Sequence, residues 1–511
     1  MTKMLHFEQL QASHLLQTFQ SLKMSTVNYL SCDVHKKVTC FSGNVIGKSC
    51  KWLFISGLFL YIVYIFLSGH PCCRSLAVVV NLNQKWRPYS SSKTISPTKI
   101  DHIVFGIVGS SNTWSYKRWY TQSWWQPNVT RGFLFLDRAP IEHLPWPPSY
   151  PSVRVSEDTS RFNEYNKHRM PFAIRMVRVI LETFKAENKG VRWYVMADDD
   201  TVLIVENLVE VLSTYDHTKY FYIGMNSESI LSNAYNSFGM AFGGAGYALS
   251  YPLAEALAKN LDECLKRYPT LYGSDHILQS CVADLGVSLT QEKGFHQIDL
   301  HRDISGLLSS HPQSPFISLH HLDVVEPIFP KMNRYQAVNH LMEAAKVDSS
   351  RLLQQSVCYN KQNNWTFSLS WGYSTHIYEK LIPFSFLQRP LETFTQWRNG
   401  ARPPYMFNTR WLFNDSCEAP HIFFFDSVEK VKGNYVVTSY VRSSPRSLPA
   451  CSFSGNHSAD YISKIYVFSP VRRLGGQQLG LDLEALALHQ RVPAAAGPIL
   501  GGQADHLEFP F

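Results

Sequence analysis

The stretch RWYVMADDDTVLIVENLVEVL, residues 192–212, runs an apolar segment straight into Asp198, Asp199 and Asp200. Adjacent carboxylates repel. At about 4 Å and an effective dielectric near 20, each like-charged contact costs on the order of 4 kcal/mol before screening. A chain that keeps such a cluster at the end of a buried strand must compensate it. Helix capping accounts for one aspartate ahead of the helical stretch after Thr201, but not for three. A divalent cation removes the repulsion, and clustered carboxylates select hard ions such as Mn²⁺ or Mg²⁺. At the carboxyl end of a strand in an open α/β sheet, where ligands bind, that ion is placed to bridge two phosphates.

The surroundings support such a sheet. HIVFGIVGSS at 102–111 reads as a buried parallel strand feeding a loop. A helix around 116–125 and a second strand in TRGFLFLD, ending at Asp137, follow. A long amphipathic helix over about 167–184, with Ile174, Val177, Ile180 and Leu181 on one face, precedes the strand at 193–197. Strands alternating with helices predict an α/β body with a mostly parallel sheet over 100–354. From 355 to 473 the segments turn β-rich and aromatic, as in HIFFFDSVEK and NYVVTSYV, and predict a second module packed on the first. The stretch 474–511, rich in Gly, Ala, Leu and Gln, predicts disorder.

The beginning of the chain is of another kind. WLFISGLFLYIVYIFLSG, residues 52–69, carries no charged residue and no polar face. It reads as a single transmembrane signal anchor long enough for a thin bilayer such as that of the early secretory pathway. Lys36, Lys37, Lys48 and Lys51 before it, against Arg74, Lys85 and Arg87 after it, favour a cytosolic tail at 1–51 and a luminal body. A Ser/Thr/Lys/Pro-rich stem would span 70–99. Sequons at Asn128, Asn364, Asn414 and Asn456 agree with a lumen. In an oxidising lumen Cys264 and Cys281 are expected to form a local bridge, and none of the ten cysteines lies in a CxxC zinc pattern. Cys72 and Cys73 either join two copies into a homodimer or carry a lipid. Lysines and arginines are scattered and the net charge is +8, so no nucleic-acid partner is expected. The full Walker pattern G-x4-G-K-[ST] is absent, since Gly47-Lys48-Ser49 is preceded by Ser42 where the first glycine would stand, and this, with the anchor, disfavours a soluble kinase-like enzyme.

Four motifs in order, WYVMADDDT, SFGMAFGGAGYALS, YGSDHILQSC and SLHHLDVVEP, resemble the Fringe and β1,3-galactosyltransferase family, most closely its plant Fringe-like branch. The resemblance covers about 100–345 on these motifs, and the β-rich module to about 470 is also similar to the plant branch. It implies a GT-A fold, a UDP-sugar donor, Mn²⁺, a glycan or glycoprotein acceptor, inversion at the anomeric carbon and a Golgi membrane location. It also implies roles for residues. Asp200 would be the principal metal ligand. Asp198 would contact the ribose side of the nucleotide and share the metal, and Asp199 would share the site. Gly243, Gly244 and Gly246 match the glycine motif, where glycines admit either a close phosphate or sugar approach or tight packing. His320 and His321 would face opposite ways on an extended segment, so only one reaches the metal. The resemblance favours His321.

An inverting transfer needs a base for the acceptor hydroxyl, and in the family this is a carboxylate of an acidic pair. Here the pair is replaced by GSDH: Asp275 remains and His276 stands in the second place. Asp275 is the preferred base, and His276, an imidazole that accepts a proton near neutral pH, is the alternative. Asp275 as the cap of the helix it opens is the purely structural reading. A non-catalytic Golgi scaffold or carbohydrate-binding protein with a retained donor fold is the functional alternative.

Overall fold

The computed structural model describes residues 96–511 apart from 169–170, 401, 413, 432–434, 452–457, 471–484, 491–506 and 511. The expected tail, anchor, Cys72–Cys73 pair and most of the stem lie outside the described residues. Among the described residues no helix is long and apolar enough to cross a membrane.

Seven strands form the central sheet: β1 (Ile103–Val108), β2 (Arg131–Leu136), β3 (Ser152–Val155), β4 (Trp193–Asp198), β5 (Tyr222–Gly224), β6 (Tyr247–Ser250) and β7 (Leu289–Gln291). Their order is β3-β2-β1-β4-β6-β5-β7. All pairings are parallel except those of β6, which runs against both β4 and β5. The mostly parallel sheet read from the sequence is therefore present. Its central strands are apolar on both faces because both are covered, as parallel sheets require.

Successive residues of each strand feed opposite layers. Val104, Val108, Tyr194 and Met196 pack under helices α2 (Pro171–Ala186), α4 (Tyr251–Arg267) and α5 (Ser274–Asp284). Ile103, Phe105, Ile107, Trp193 and Val195 face the other way, into a layer holding α1 (Trp114–Trp124), α3 (Val205–Ser213) and α6 (Arg334–Asp348). Each such fully buried large side chain contributes about 2 kcal/mol of transfer free energy. The helix expected over 167–184 begins instead at Pro171, because proline suits a first helical turn and not an interior; a separate short helix, Asn163–His168, precedes it. The Cys264–Cys281 bridge forms and ties α4 to α5. A second bridge, Cys417–Cys451, forms in the later module.

That module starts at Gln355 and is an antiparallel meander. Its strands are β8 (Gln355–Asn360), β9 (Trp365–Ser370), β10 (Ser374–Tyr378), β11 (His421–Val431), β12 (Tyr435–Arg442), β13 (Ile462–Pro470), β14 (Ala485–Gln490) and β15 (Leu507–Pro510), in sequence order across one sheet. Its Trp365, Phe367, Ile377 and Phe423 belong to the same apolar cluster as Trp193 and Val195, so the two sheets share a core. The disorder expected from 474 on does not extend to β14 and β15. The backbone of β14 pairs antiparallel with the edge of β13. Asn128, Asn364 and Asn414 are exposed.

Candidate functional site

β1 and β4 end side by side, with Val108 opposite Asp198. The Asp199 N–H donates to the Val108 carbonyl at 2.8 Å. The Asp198 N–H donates to Thr201 Oγ1 at 3.0 Å, and the Thr201 hydroxyl donates to the Gly244 carbonyl at 2.7 Å. One buried threonine thus stitches the aspartate turn to the glycine turn.

Into the space between them comes His320. Its Nε2 lies 3.2 Å from Asp200 Oδ1 and 3.8 Å from Asp198 Oδ2. Two carboxylate oxygens and one imidazole nitrogen therefore lie within 4.8 Å of one another. That donor set suits Mn²⁺, which accepts imidazole beside carboxylates. Lys117, projecting from α1, puts its Nζ 2.6 Å from Asp200 Oδ2 and 3.6 Å from Asp199 Oδ1.

The cluster divides its charge unevenly. Burial, with Asp200 and Asp275 adding like charge, pushes Asp198 well above the usual carboxylate range. Burial pushes Asp199 up to about 7 in spite of Lys117. At Asp200 burial also opposes ionisation, but His320 and Lys117 outweigh it and hold the carboxylate far below its ordinary value. Burial lowers His320, with His321 reinforcing and Asp200 opposing. The anionic centre of the site is Asp200.

The expected choice of His321 over His320 is corrected by the backbone. His321 adopts φ 54°, so the pair does not alternate as on an extended strand. The two rings lie together, centroids 4.1 Å apart. His320 faces the aspartates, whereas His321 Nδ1 lies 3.0 Å from Asp299 Oδ1. The His321 ring also stacks on Trp397 of the second module at 4.9 Å and 8°, and Trp397 stacks in turn on His301.

The glycines have a specific cause. A Cβ on Gly243 would stand 2.5 Å from Asp275 Oδ1, and one on Gly244 would stand 2.1 Å from the His320 ring. Gly246 holds φ +85°, where a side chain is strained. Each of the first two therefore leaves room for a side chain of the site. Asp275 itself is not a cap: Gly273 occupies the cap position and Asp275 is the second residue of α5. Asp275 Oδ2 accepts the Gly243 N–H at 2.9 Å, and its Oδ1 accepts the Ser274 hydroxyl at 3.2 Å. Burial pushes its carboxyl up to about 6 against those hydrogen bonds. His276 is half-buried, and burial lowers its imidazole. Among the described residues its ring makes no hydrogen bond to the aspartates or the glycine turn. Sequence reading missed Lys117, Asp299 and Trp397. Nothing in SYKRWY, HQIDLH or TQWRNG marks them, because their partners lie far along the chain.

A protein-family profile described as "Protein of unknown function, DUF604" matches residues 232–478. The chain is 31% identical over 137 residues to the Danio rerio protein named "Beta-1,3-N-acetylglucosaminyltransferase lunatic fringe", covering 23% of this chain and 36% of that one. It is 32% identical over 120 residues to the Mus musculus "Beta-1,3-glucosyltransferase", covering 23% of each. A Gallus gallus lunatic fringe is 36% identical over 87 residues, 15% of this chain and 24% of that one. The chain thus spans between 23% and 36% of the length of these relatives. With the four ordered motifs, these matches make the chain similar, over part of its length, to proteins of the Fringe and β1,3-glycosyltransferase family.

Proposed function

We propose that this protein is an inverting, metal-dependent glycosyltransferase. It moves a hexose or N-acetylhexosamine, by default galactose to a β1,3 linkage, from a UDP-sugar to a glycan or glycoprotein hydroxyl. We further propose a luminal, single-pass type II placement in the Golgi membrane, on the residues 52–69 and the sequons. The observation that carries the reading is the convergence of Asp198, Asp200 and His320 beside a glycine turn that also cradles a carboxylate.

In this reading Asp198, Asp200 and His320 hold the cation. A bound Mn²⁺ supplies the positive charge that neutralises the departing diphosphate. Lys117 adds a fixed positive charge on the same side of the aspartates. Asp199, buried and reluctant to ionise, closes the floor of the site against Gly109, whose missing Cβ leaves it room. Asp275 takes the proton of the acceptor hydroxyl as that oxygen bonds to the anomeric carbon and the bond to UDP breaks. A carboxylate with a value of about 6 is ionised at neutral pH yet more basic than an exposed aspartate, which suits a general base. Asp275, not His276, touches the glycine turn, and this favours it for the role.

The test is calorimetric titration of the full chain in detergent with a panel of UDP-sugars, with and without Mn²⁺, repeated on Asp200→Asn. Manganese-dependent binding that favours one sugar, lost by roughly 100-fold or more in the variant, is expected. A variant that keeps wild-type donor affinity would refute the cation assignment. No donor binding by folded wild-type protein would instead favour the scaffold alternative.

A further inference from the structure

The second module holds a cavity of about 330 Å³ that shares no residue with the aspartate site. Its lining includes Lys380, Leu381, Pro383, Phe386, Arg389 and Arg410, and also Ser385 and Glu418. The size is at the lower end of small-ligand sites.

Arg410 is only 5% exposed. Its Nε donates to the Arg389 carbonyl at 2.9 Å, and its Nη2 donates to the Tyr378 hydroxyl at 2.6 Å. Both acceptors are neutral. Among the described residues it forms no ion pair, and its Nη1 makes no hydrogen bond. A buried guanidinium without a counter-ion is costly, and an anion entering the cavity would offset that cost. Its field is felt nearby: burial and then Arg410 hold His376 down to about 3, so that neighbour stays neutral and adds no second charge. The one carboxylate of the cavity, Glu418, is already bound by Lys380 at 2.5 Å. Arg389 is exposed, and among the described residues its guanidinium contacts only the face of Phe386, at 5.8 Å. Two arginines without acidic partners among the described residues thus line one cavity beside an aromatic ring.

We propose that this cavity binds the carboxylate of an acidic sugar. Arg410 and Arg389 present planar guanidinium groups that match a carboxylate's two oxygens. Phe386, Leu381 and Pro383 supply apolar surface for the C–H face of a pyranose ring, and the Ser385 hydroxyl is placed for a ring hydroxyl. The proposal is independent of the donor site, since it uses none of that site's residues.

The test is titration of the full chain in detergent with glucuronate, glucose and inorganic sulfate, read by calorimetry. Glucuronate is expected to bind, glucose at least tenfold more weakly, and sulfate more weakly than glucuronate. Arg389→Ser, an exposed change, is expected to lower glucuronate affinity at least tenfold while leaving UDP-sugar affinity unchanged. Arg410→Lys keeps the charge but loses the planar fork and is expected to weaken glucuronate as well. Glucuronate binding no tighter than glucose, or undiminished in Arg389→Ser, overturns the proposal. Sulfate binding as tightly as glucuronate overturns the sugar assignment and leaves a simple oxyanion site.

Discussion

Two polar clusters of this molecule are built on opposite principles. In the second module Glu379 is buried among His421, Arg446 and the Ala459 N–H, with Asp460 and Arg442 completing the ring. Its acids and bases alternate and every acid finds a cation. At the end of β4, Asp198, Asp199 and Asp200 crowd together, with Asp275 close enough to raise Asp198, and Lys117 is the lysine or arginine paired with them among the described residues. The balanced cluster resembles a structural device, since its Glu379 is held below the ordinary value: burial opposes ionisation, but His421 and the Ala459 N–H outweigh it. The unbalanced one raises two of its three aspartates. The contrast teaches that surplus like charge, rather than buried charge as such, marks a site waiting for a ligand.

The sharpest test of that contrast is Asp275→Asn. Turnover is expected to fall about 10² to 10⁴-fold with donor binding retained. The wild-type rate should fall about tenfold per unit as pH drops below about 6, because the base must be ionised. Stability should move the other way. The folded value lies above the ordinary 3.8, so the native state binds the proton more tightly and stability declines as pH rises between the two. Ionised Asp275 then costs the metal-free fold on the order of 3 kcal/mol at neutral pH, and the asparagine variant should melt no lower than wild type. Full activity in that variant would transfer the base to His276.

Glu379→Gln is the converse experiment. Breaking this buried ion-paired cluster is expected to cost about 3 kcal/mol in chemical denaturation without altering donor affinity. Because the folded value is depressed, its stabilisation is present above the ordinary 4.5 and is lost as pH falls through the lower folded value. The wild-type melting temperature should therefore drop on acidification below about pH 4.5 and the variant's should drop less. Equal acid sensitivity in both would remove the distinction drawn between the clusters.

The smallest effect concerns the joint between the regions. Trp397 holds His321, whose ring lies on His320. Trp397→Ala is expected to weaken Mn²⁺ binding about tenfold, and Trp397→Phe to restore most of it, as for other residues that orient ligands from behind. Unchanged manganese affinity in the alanine variant would show that the second module does not support the site.

Much of this was legible along the chain because it is local. Period and composition marked β1, β2 and β4 and the change of character at residue 355. Three adjacent aspartates declared a compensating partner, since their repulsion is a property of covalent neighbours. The roles expected of Asp198, Asp200 and Asp275 came instead from the resemblance carried by the four ordered motifs. Which histidine completes the set was not legible: it depends on a single positive φ at His321, which turns two adjacent rings to the same side. Nor could a glycine motif say whether it faces phosphate or side chains until Asp275 and His320 were seen pressing on it. The pairings of Lys117 and Trp397, and the placement of Arg410 without an ion pair among the described residues, come from contacts between segments distant in sequence. Only packing decides such contacts, because the burial and missing counter-ions that give them meaning exist nowhere in the linear chain.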